Sequence, residues 1–261
     1  MKFLKKTLAT IATVGALTAA GSANAYLTNW YLDSDGAGSG SAVQVSEYVD
    51  LNGTSYIQNT YSSATEFTFN EAGTYISNLV DSSTALATML TSSFTGNGVG
   101  DTTSGFSFTN GTLTIKSGAT TIGIFSLLNG SGVLDGSAVP NGLITLVFQA
   151  SFLADGYFFR DSGLLDDLAD ELDSGALVFG FATTNASLLE SWNAATTAAL
   201  TSLWNTTYDP DITQLASNGS TELVISNNGQ YRLQVPEPAS LALVGLGLLG
   251  VGAIRRRKES K

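Results

Sequence analysis

The stretch SGFSFTNGTLTIKSG, residues 104–118, alternates apolar and polar side chains on both sides of an Asn-Gly pair. Alternation with a period of two is typical of a strand with one buried face. Asn110-Gly111 is a dipeptide that readily forms the two-residue turn of a β-hairpin, because both positions of that turn need a positive φ. With these residues as the loop, Phe108 lies opposite Leu113 on one face. The stretch therefore predicts a hairpin, and with it a β-rich protein.

Other segments carry the same β signals. Asn-Gly pairs at residues 52–53 and 228–229 predict two further hairpins. Residues 143–152, LITLVFQASF, alternate in the manner of a half-buried strand. Shorter strands are predicted at residues 66–70, 122–128 and 176–182. Many short strands joined by glycine-rich turns are typical of a β-sandwich or a jelly roll, so we expect a mainly β domain with an antiparallel sandwich or jelly-roll-like fold.

Two or three helices are expected to pack on these strands. The sequence SLLE at residues 187–190 has the form of a capping box, and apolar residues recur at helical spacing as far as Leu203. A third helical stretch is predicted at residues 75–90. The segment GLLDDLADELDSG, residues 163–175, predicts an acidic helix. Its four leucines fall on one helical face: Leu164, Leu165, Leu168 and Leu172.

The charge balance of the chain restricts its partners. The chain has 22 acidic and 11 basic residues. Two of the acids and eight of the bases lie in residues 1–25 and 236–261, so residues 26–235 keep 20 acids against 3 bases, a net charge of −17. Such a body repels phosphate groups, which argues against nucleic acid and anionic lipid as partners. Neutral sugars and divalent cations fit better.

The chain contains neither cysteine nor histidine. Disulfide staples are therefore absent, and so are Ser-His-Asp and Cys-His nucleophile systems, histidine-ligated zinc and imidazole general bases. Only carboxylates, hydroxyls and a few basic side chains remain for chemistry. No residue set in the sequence indicates a catalytic centre, a cofactor site or a metal centre.

The first 25 residues have the form of a secretory signal peptide. Lysines at residues 2–6 precede an apolar run at residues 8–20. Ala23 and Ala25 then supply the small residues of an A-x-A cleavage site, so the mature chain is predicted to begin at Tyr26. An exported domain is expected at residues 26–235.

The last 26 residues form a second terminal signal. Pro236, Glu237 and Pro238 come first, and both prolines resist helix formation. An uncharged apolar run follows at residues 239–254, about 24 Å long as a helix. That length makes a short membrane span against a hydrocarbon core of about 30 Å. The basic end at residues 255–261 favours the cytoplasmic side of the membrane, which leaves the remainder of the chain outside.

A signal peptide combined with Val-Pro-Glu-Pro, an apolar segment and a terminal arginine cluster resembles the PEP-CTERM class of bacterial proteins. These are substrates of exosortase, a membrane-embedded processing enzyme. The resemblance implies that Pro236, Glu237 and Pro238 are the sorting motif. It also implies a retention cluster on three arginines: Arg255, Arg256 and Arg257.

This resemblance implies an exported protein of a Gram-negative bacterium that makes exopolysaccharide. The chain would be anchored transiently in the inner membrane, processed by an exosortase-type enzyme, and released to the cell surface or the extracellular matrix. Three short segments are similar to flocculation-associated members of the class: WYLD at residues 30–33, YIQNTY at residues 56–61 and YFFRDSG at residues 157–163.

Several carboxylate groups are candidate calcium ligands. Asp33 and Asp35 flank a glycine-rich loop, and Asp209 and Asp211 flank a proline. Neither group has the ligand spacing of an EF-hand loop, so both are predicted to be polar turns. The acidic helix is predicted to have a solvated face, with calcium as the alternative. Its carboxylates belong to Asp166, Asp167, Asp170, Glu171 and Asp173.

Large aromatic residues offer a second way to bind sugar, by stacking, although core packing is the favoured interpretation. They are Trp30, Tyr31, Trp192, Trp204 and Tyr208. Together these features predict a non-enzymatic matrix protein that acts with exopolysaccharide in cell aggregation. The alternative is a secreted carbohydrate-active enzyme that uses an Asp/Glu pair, since a glycosidase needs only two carboxyl groups.

Overall fold

Eleven strands and two helices follow one another in the part of the chain that the computed structural model describes, which is residues 29–38, 40–189, 194–210 and 221–234. In chain order they are β1 (Trp30–Leu32), β2 (Val43–Val45), β3 (Val49–Tyr61), β4 (Glu66–Val80), β5 (Thr84–Asp101), β6 (Gly105–Ser117), β7 (Thr120–Leu134), β8 (Pro140–Leu153), β9 (Phe158–Phe159), α1 (Leu168–Asp173), β10 (Phe179–Leu188), α2 (Ala194–Thr207) and β11 (Glu222–Gln234).

Eight of the strands form a closed antiparallel barrel. The order around the barrel is β10-β11-β3-β4-β5-β6-β7-β8, so each strand pairs with the barrel strands before and after it in the chain, and β11 closes the ring against β3. The predicted mainly β class is confirmed, but the predicted sandwich or jelly roll is wrong. The barrel strands are 10 to 18 residues long, and long twisted strands can curl until the first and the last meet.

The three remaining strands form a small sheet in the order β2-β1-β9. Ser34, which follows β1, ties this sheet to the barrel. Its hydroxyl accepts a hydrogen bond from the Thr88 N–H (2.9 Å), and its carbonyl oxygen accepts one from the Ser117 hydroxyl (2.5 Å). Because Thr88 is near the start of β5 and Ser117 ends β6, the small sheet lies at that end of the barrel.

Aromatic side chains fill much of the barrel interior. Phe69 makes edge-to-face contacts with Phe106 and Phe108, with ring centroids 5.6 and 5.1 Å apart. Phe94 contacts Phe108 in the same way at 5.5 Å. Such edge contacts add about 0.5–1.5 kcal/mol each to the stabilisation from burial. The core therefore lies inside the barrel, between facing strands.

The three predicted Asn-Gly hairpins are wrong. Asn110 and Gly111 lie within β6 and pair with residues 96–97 of β5. The pairs at residues 52–53 and 228–229 likewise lie within β3 and β11. None of these six residues has the positive φ that the hairpin turn requires.

Packing inside the barrel explains why these glycines occupy strands. A Cβ atom on Gly53 would come within 2.2 Å of the Thr74 carbonyl oxygen, and one on Gly111 within 2.8 Å of the Phe94 ring. The preceding residue of each pair, for example Asn110, is exposed on the outer face. Each Asn-Gly pair thus places a polar side chain outside and leaves room inside for a neighbouring strand or ring.

The helix predicted at residues 75–90 is also wrong. These residues complete β4, turn, and begin β5. Asp81 and Ser82 make the turn with φ values of 51° and 55°. The Asp81 carboxylate accepts hydrogen bonds from the backbone N–H groups of residues 46–48 at 2.9–3.0 Å. These long-range bonds stabilise a tight turn that the local apolar spacing does not reveal.

The predicted helix after residue 187 is displaced along the chain. Ser187 and Leu188 belong to β10, so the proposed capping box does not start a helix there, and α2 begins at Ala194. Glu190 lies outside the described residues. The expected packing of this helix on the strands is confirmed, because Leu200 and Trp204 are buried against β-strand residues.

The predicted acidic helix is confirmed in a shorter form, as the six residues of α1. Leu164 and Leu165 precede it, and Leu165 is 88% exposed, so the leucine face predicted across residues 164–172 is wrong at its start. Leu168 is fully buried. Leu164 has a φ of 53°, which is incompatible with a helix at that position.

The other predicted strands are present with different ends. Alternating burial in β8 holds from Ile144 to Ala150. The pairing register with β7 then shifts, so that Phe152 faces outward and Leu153 is buried instead. A bulge of this kind reverses which side chains face the core. The strand predicted at residues 176–182 begins only at Phe179.

A pair of substitutions in β6 tests whether residues 110–111 are strand or turn. We expect Asn110→Thr to change the free energy of unfolding by less than about 0.5 kcal/mol, since threonine suits an exposed strand. Gly111→Ala should lower it by about 1–3 kcal/mol through overpacking against Phe94. Urea unfolding followed by circular dichroism measures both. A hairpin turn would predict a large loss for Asn110→Thr, because β-branched residues resist positive φ.

Candidate functional site: barrel interior and outer wall

The predicted sorting and processing residues lie outside the described part of the chain. These are the cleavage-site residues Ala23, Ala25 and Tyr26, the motif residues Pro236, Glu237 and Pro238, and the cluster Arg255, Arg256 and Arg257. The apolar run at residues 239–254 also lies outside it. Neither of the two described helices is long and apolar enough to cross a bilayer.

The barrel interior leaves little free space. A cavity of about 20 Å³ is enclosed by seven of the eight barrel strands, all except β7, and is lined largely by apolar side chains. A space of this size holds about one water molecule. A sugar ring or a cofactor does not fit inside.

Polar side chains meet at one side of this cavity. The Ser55 hydroxyl lies 2.9 Å from the Tyr75 hydroxyl and accepts a hydrogen bond from the Asn227 amide, also at 2.9 Å. The Thr184 hydroxyl donates to the Asn227 carbonyl oxygen at 3.3 Å. Glu71 lines the same cavity and is 4% exposed. These residues form what we call the interior polar cluster.

Burial raises the pKa of Glu71 to about 7, while a hydrogen bond from Ser55 acts in the opposite direction. The same burial, together with the Glu71 carboxylate, raises the pKa of Tyr75. Glu71 is the single carboxylate among the residues that line this cavity. Glycoside hydrolysis needs two carboxyl groups about 5–10 Å apart across a sugar, so this cluster does not form such a pair.

Sequence reasoning missed Glu71, although the strand pattern contained a signal. Residues 67–75 read FTFNEAGTY, and the side chains at alternate positions from Phe67 to Tyr75 face inward. Glu71 occupies the inward phase of this alternation. A carboxylate in the buried phase of an otherwise apolar strand is the feature that distinguishes it from the other 19 acids of the exported region.

Several acidic residues hold loops together. The Asp33 carboxylate accepts hydrogen bonds from the Gly38 N–H at 2.7 Å and the Ser41 hydroxyl at 2.9 Å. The Ser41 hydroxyl also lies 2.6 Å from Asp35, so its one proton serves both carboxylates. The Asp161 carboxylate accepts hydrogen bonds from the N–H groups of Gly163, Leu165 and Asp166, which lower its pKa. These carboxylates replace missing backbone partners in turns, as predicted for Asp33 and Asp35.

The carboxylates around α1 also have protein partners. Asp167 caps the helix by accepting from the Ala169 N–H at 2.9 Å. Arg160 donates to Glu171 at 2.5 Å and lies 3.6 Å from Asp166. Within the described ranges, no three acidic side chains converge in a way that could hold a metal ion. The calcium alternative for this helix remains a proposal without a site.

Two of the five aromatic residues predicted as core or sugar-stacking residues are buried, while Tyr31 and Tyr208 are half-buried. Trp30 and Trp204 are each 1% exposed. Trp30 stacks on Phe158 at 6.1 Å, and Trp204 lies between Tyr56 and Tyr208 at 4.7 and 4.6 Å. The core interpretation is therefore confirmed for both tryptophans. Trp192 and Asp211 lie outside the described residues.

The outer wall of the barrel is polar with few charges. Outward positions of the strands carry mainly serine, threonine, asparagine and glutamine, while most carboxylates lie in the connections at the barrel ends. The charged wall residues lie at or near strand ends. Glu66, Asp101 and Glu222 are terminal strand residues, and three others lie within three residues of an end: Asp50, Lys116 and Arg232. Exposed apolar side chains interrupt this polar wall, most of all on β7 and β8, where Leu128, Val133 and Leu143 are about half exposed.

Comparison with known protein families identifies one match. Residues 234–258 match the PEP-CTERM protein-sorting motif, a range that contains Pro236, Glu237, Pro238 and the three arginines. The chain is thus an exosortase-targeted exported protein, with transient sorting at a membrane and a surface destination. No curated protein and no solved structure shows significant similarity to the chain.

Proposed function

We propose that the chain is a non-enzymatic protein of the cell surface or extracellular matrix that associates with exopolysaccharide and supports cell aggregation, in flocculation or biofilm. The sorting motif at residues 234–258 supports a surface destination, where an exopolysaccharide partner would be met. The barrel supplies a stable exported body with no need for disulfides. Its partner would be the polymer around the cell.

One observation supports this proposal over a ligand carrier: the barrel is filled. With a cavity of about 20 Å³, the interior has no room for a saccharide. Contacts with a polysaccharide must therefore be made on the outside, where hydroxyl and amide side chains cover the wall. Such groups donate and accept hydrogen bonds, as sugar hydroxyls do.

The alternative function, a carbohydrate-active enzyme with an Asp/Glu pair, would need two carboxyl groups facing one sugar. Glu71 is buried, and Asp33, Asp35, Asp161 and Asp167 hold backbone groups in loops. The non-enzymatic proposal is preferred because these carboxylates have structural partners instead of a shared cleft.

A binding and cleavage assay tests the proposal. The protein recovered from the cell surface is incubated with exopolysaccharide from the same cells, with and without Ca²⁺, and polymer retention and new reducing ends are both measured. We expect retention without cleavage. New reducing ends would support the enzyme instead, and absence of both would remove exopolysaccharide as the partner. A requirement for Ca²⁺ would indicate bridging through the exposed carboxylates.

A further inference from the structure

The barrel register places six hydroxyl side chains side by side on the outer wall. Directly paired residues on six neighbouring strands follow one another across the sheet, and each faces away from the core. We call them the hydroxyl row: Ser187, Ser226, Thr54, Thr74, Ser93 and Thr114. Adjacent members lie on strands about 4.8 Å apart. The row therefore runs around the barrel, perpendicular to the strands.

The outward orientation of this row follows from its sequence neighbours. Ser55, Tyr75, Phe94 and Asn227 are buried inside the barrel, and each follows a member of the row directly in the chain. Because successive side chains of a strand point to opposite faces, the row lies on the outer face of the barrel. On β11, β3 and β4 it runs beside the outward residues that α2 covers, which are Val224, Tyr56 and Ala72. Ser187 is exposed and the other five members are half-buried.

Amide side chains flank part of the hydroxyl row. Asn185, Asn228 and Asn52 pair in register on β10, β11 and β3, and all three are exposed. Asn52 and Asn228 are the outward residues of Asn-Gly pairs. The glycine of each pair faces the close-packed interior, so the asparagine before it faces outward. Ile76 continues the same register on β4 and is 43% exposed.

The hydroxyl row is uncharged, although the domain around it is strongly negative. The net charge of residues 26–235 is −17 from 20 acids and 3 bases, yet none of the six residues of the row is charged. Asp50 and Arg232 lie towards one end of the barrel. Lys116 lies at the edge of the flanking row, in register with Ile76 through Thr91. A polyanion approaching the row would meet the repulsive field of the whole domain, whereas an uncharged polymer would not.

We propose that the hydroxyl row and the neighbouring amides bind an uncharged polysaccharide. This inference rests on the proposed function and specifies the binding surface and the class of polymer. The row offers both donors and acceptors to sugar hydroxyls, and Ile76 offers an apolar contact to the carbon face of a ring. A second copy of the chain suits this surface less well, because the closed barrel has no free strand edge and the row buries little apolar area.

Isosteric substitutions test the surface without altering the strands. A triple variant, Thr54→Val, Thr74→Val and Thr114→Val, removes three hydroxyls and keeps the β-branched shape. A matched control, Thr121→Val, Thr145→Val and Thr183→Val, makes the same change in strands β7, β8 and β10. Circular dichroism and urea unfolding verify that both variants fold like the natural protein.

Binding is measured for the full chain against the cells' own exopolysaccharide, neutral dextran and anionic alginate. We expect the natural protein to bind neutral polymer with little salt dependence, since no charge pairing is involved. The row variant should bind at least tenfold more weakly, because each lost hydrogen bond contributes about 1 kcal/mol. The control should bind within twofold of the natural protein.

The outcomes separate this inference from the proposed function. Equal binding by the row variant and the natural protein would overturn the proposed surface while leaving polysaccharide association intact. Preference for alginate would overturn the uncharged class. No binding to any of the three polymers would remove the proposed function itself and this inference with it. Concentration-dependent dimerisation that the row variant abolishes would assign the surface to a second copy.

Discussion

Replacing Trp204 with alanine is expected to lower the free energy of unfolding by about 3–5 kcal/mol, the usual cost of deleting a buried tryptophan. Trp204 lies on α2, is 1% exposed, and contacts the Tyr56 ring edge-on at 4.7 Å. With Leu200 it covers Ala72 and Val224 on the outside of the barrel. The substitution removes the largest side chain that attaches α2 to the strands.

The expected mechanism is detachment of α2 from an otherwise folded barrel. The hydroxyl of Tyr208, just after the helix, shares its one proton between the carbonyl oxygens of Glu71 (2.9 Å) and Gly96 (2.7 Å). The Tyr208 ring packs on Trp204. Loss of Trp204 should free this contact as well. Limited proteolysis should then cut within residues 194–210 much faster than in the natural protein, alongside the shift in urea unfolding.

Trp204→Phe is the matched control. The indole Nε1 has no hydrogen-bond partner among the described residues, so phenylalanine loses ring area and no hydrogen bond. We expect Trp204→Phe to lower the free energy of unfolding by much less than Trp204→Ala does. If alanine and phenylalanine cost the same, or if alanine costs less than about 1 kcal/mol, Trp204 is not the anchor of the helix.

Replacing Glu71 with glutamine is expected to stabilise the protein above neutral pH by about 2–3 kcal/mol and to leave its stability at pH 5 nearly unchanged. Burial raises the pKa of Glu71 from its usual 4.5 to about 7. Ionised Glu71 therefore lacks the solvation that it has in the unfolded chain. Glutamine preserves the shape and removes the charge.

The direction of the pH effect follows from proton binding. Between pH 4.5 and 7 the folded protein keeps the Glu71 proton and the unfolded chain loses it, so the folded state binds more protons. Stability therefore falls as the pH rises through this range and stays lower above it. A difference of this size in pKa corresponds to about 3 kcal/mol.

Urea unfolding at several values between pH 5 and pH 8 measures this effect. Glu66→Gln is the control, because Glu66 begins the same strand and is exposed. We expect the free energy of unfolding of the control to match that of the natural protein at each pH. For Glu71→Gln, the free energy of unfolding should not fall as the pH rises. Parallel pH profiles for Glu71→Gln and the natural protein would show that the carboxyl is not held in a buried site.

The filled interior and the polar wall are expected to control different properties of the protein, namely stability and polysaccharide binding. The interior polar cluster affects stability, since Glu71, Tyr75 and Asn227 are enclosed by strands and have no access to a polymer. The wall is the proposed recognition surface, since its side chains face the medium. Variants of Glu71 should thus change unfolding without changing polysaccharide binding, and variants of the hydroxyl row should do the reverse.

The amino-acid sequence alone determined the β class and the export route, and it excluded every site that needs histidine or cysteine. Alternation with a period of two is a local property, so the strands at residues 66–70, 122–128 and 144–152 could be recognised without the fold. Pro236, Glu237 and Pro238 identify the sorting motif in the same local way. The absence of histidine and cysteine is a matter of composition and excludes whole classes of site.

Only the tertiary structure decided the closure of the barrel and the place of the Asn-Gly pairs. Whether an eight-stranded ladder closes depends on strand length, twist and register summed over many long-range pairs, such as the pairing of β11 with β3. Asn110-Gly111 suits a tight turn in isolation. It lies in a strand because Phe94 needs the space beside Gly111 and because β5 pairs with both residues. The same long-range pairing buries Glu71 and aligns the hydroxyl row.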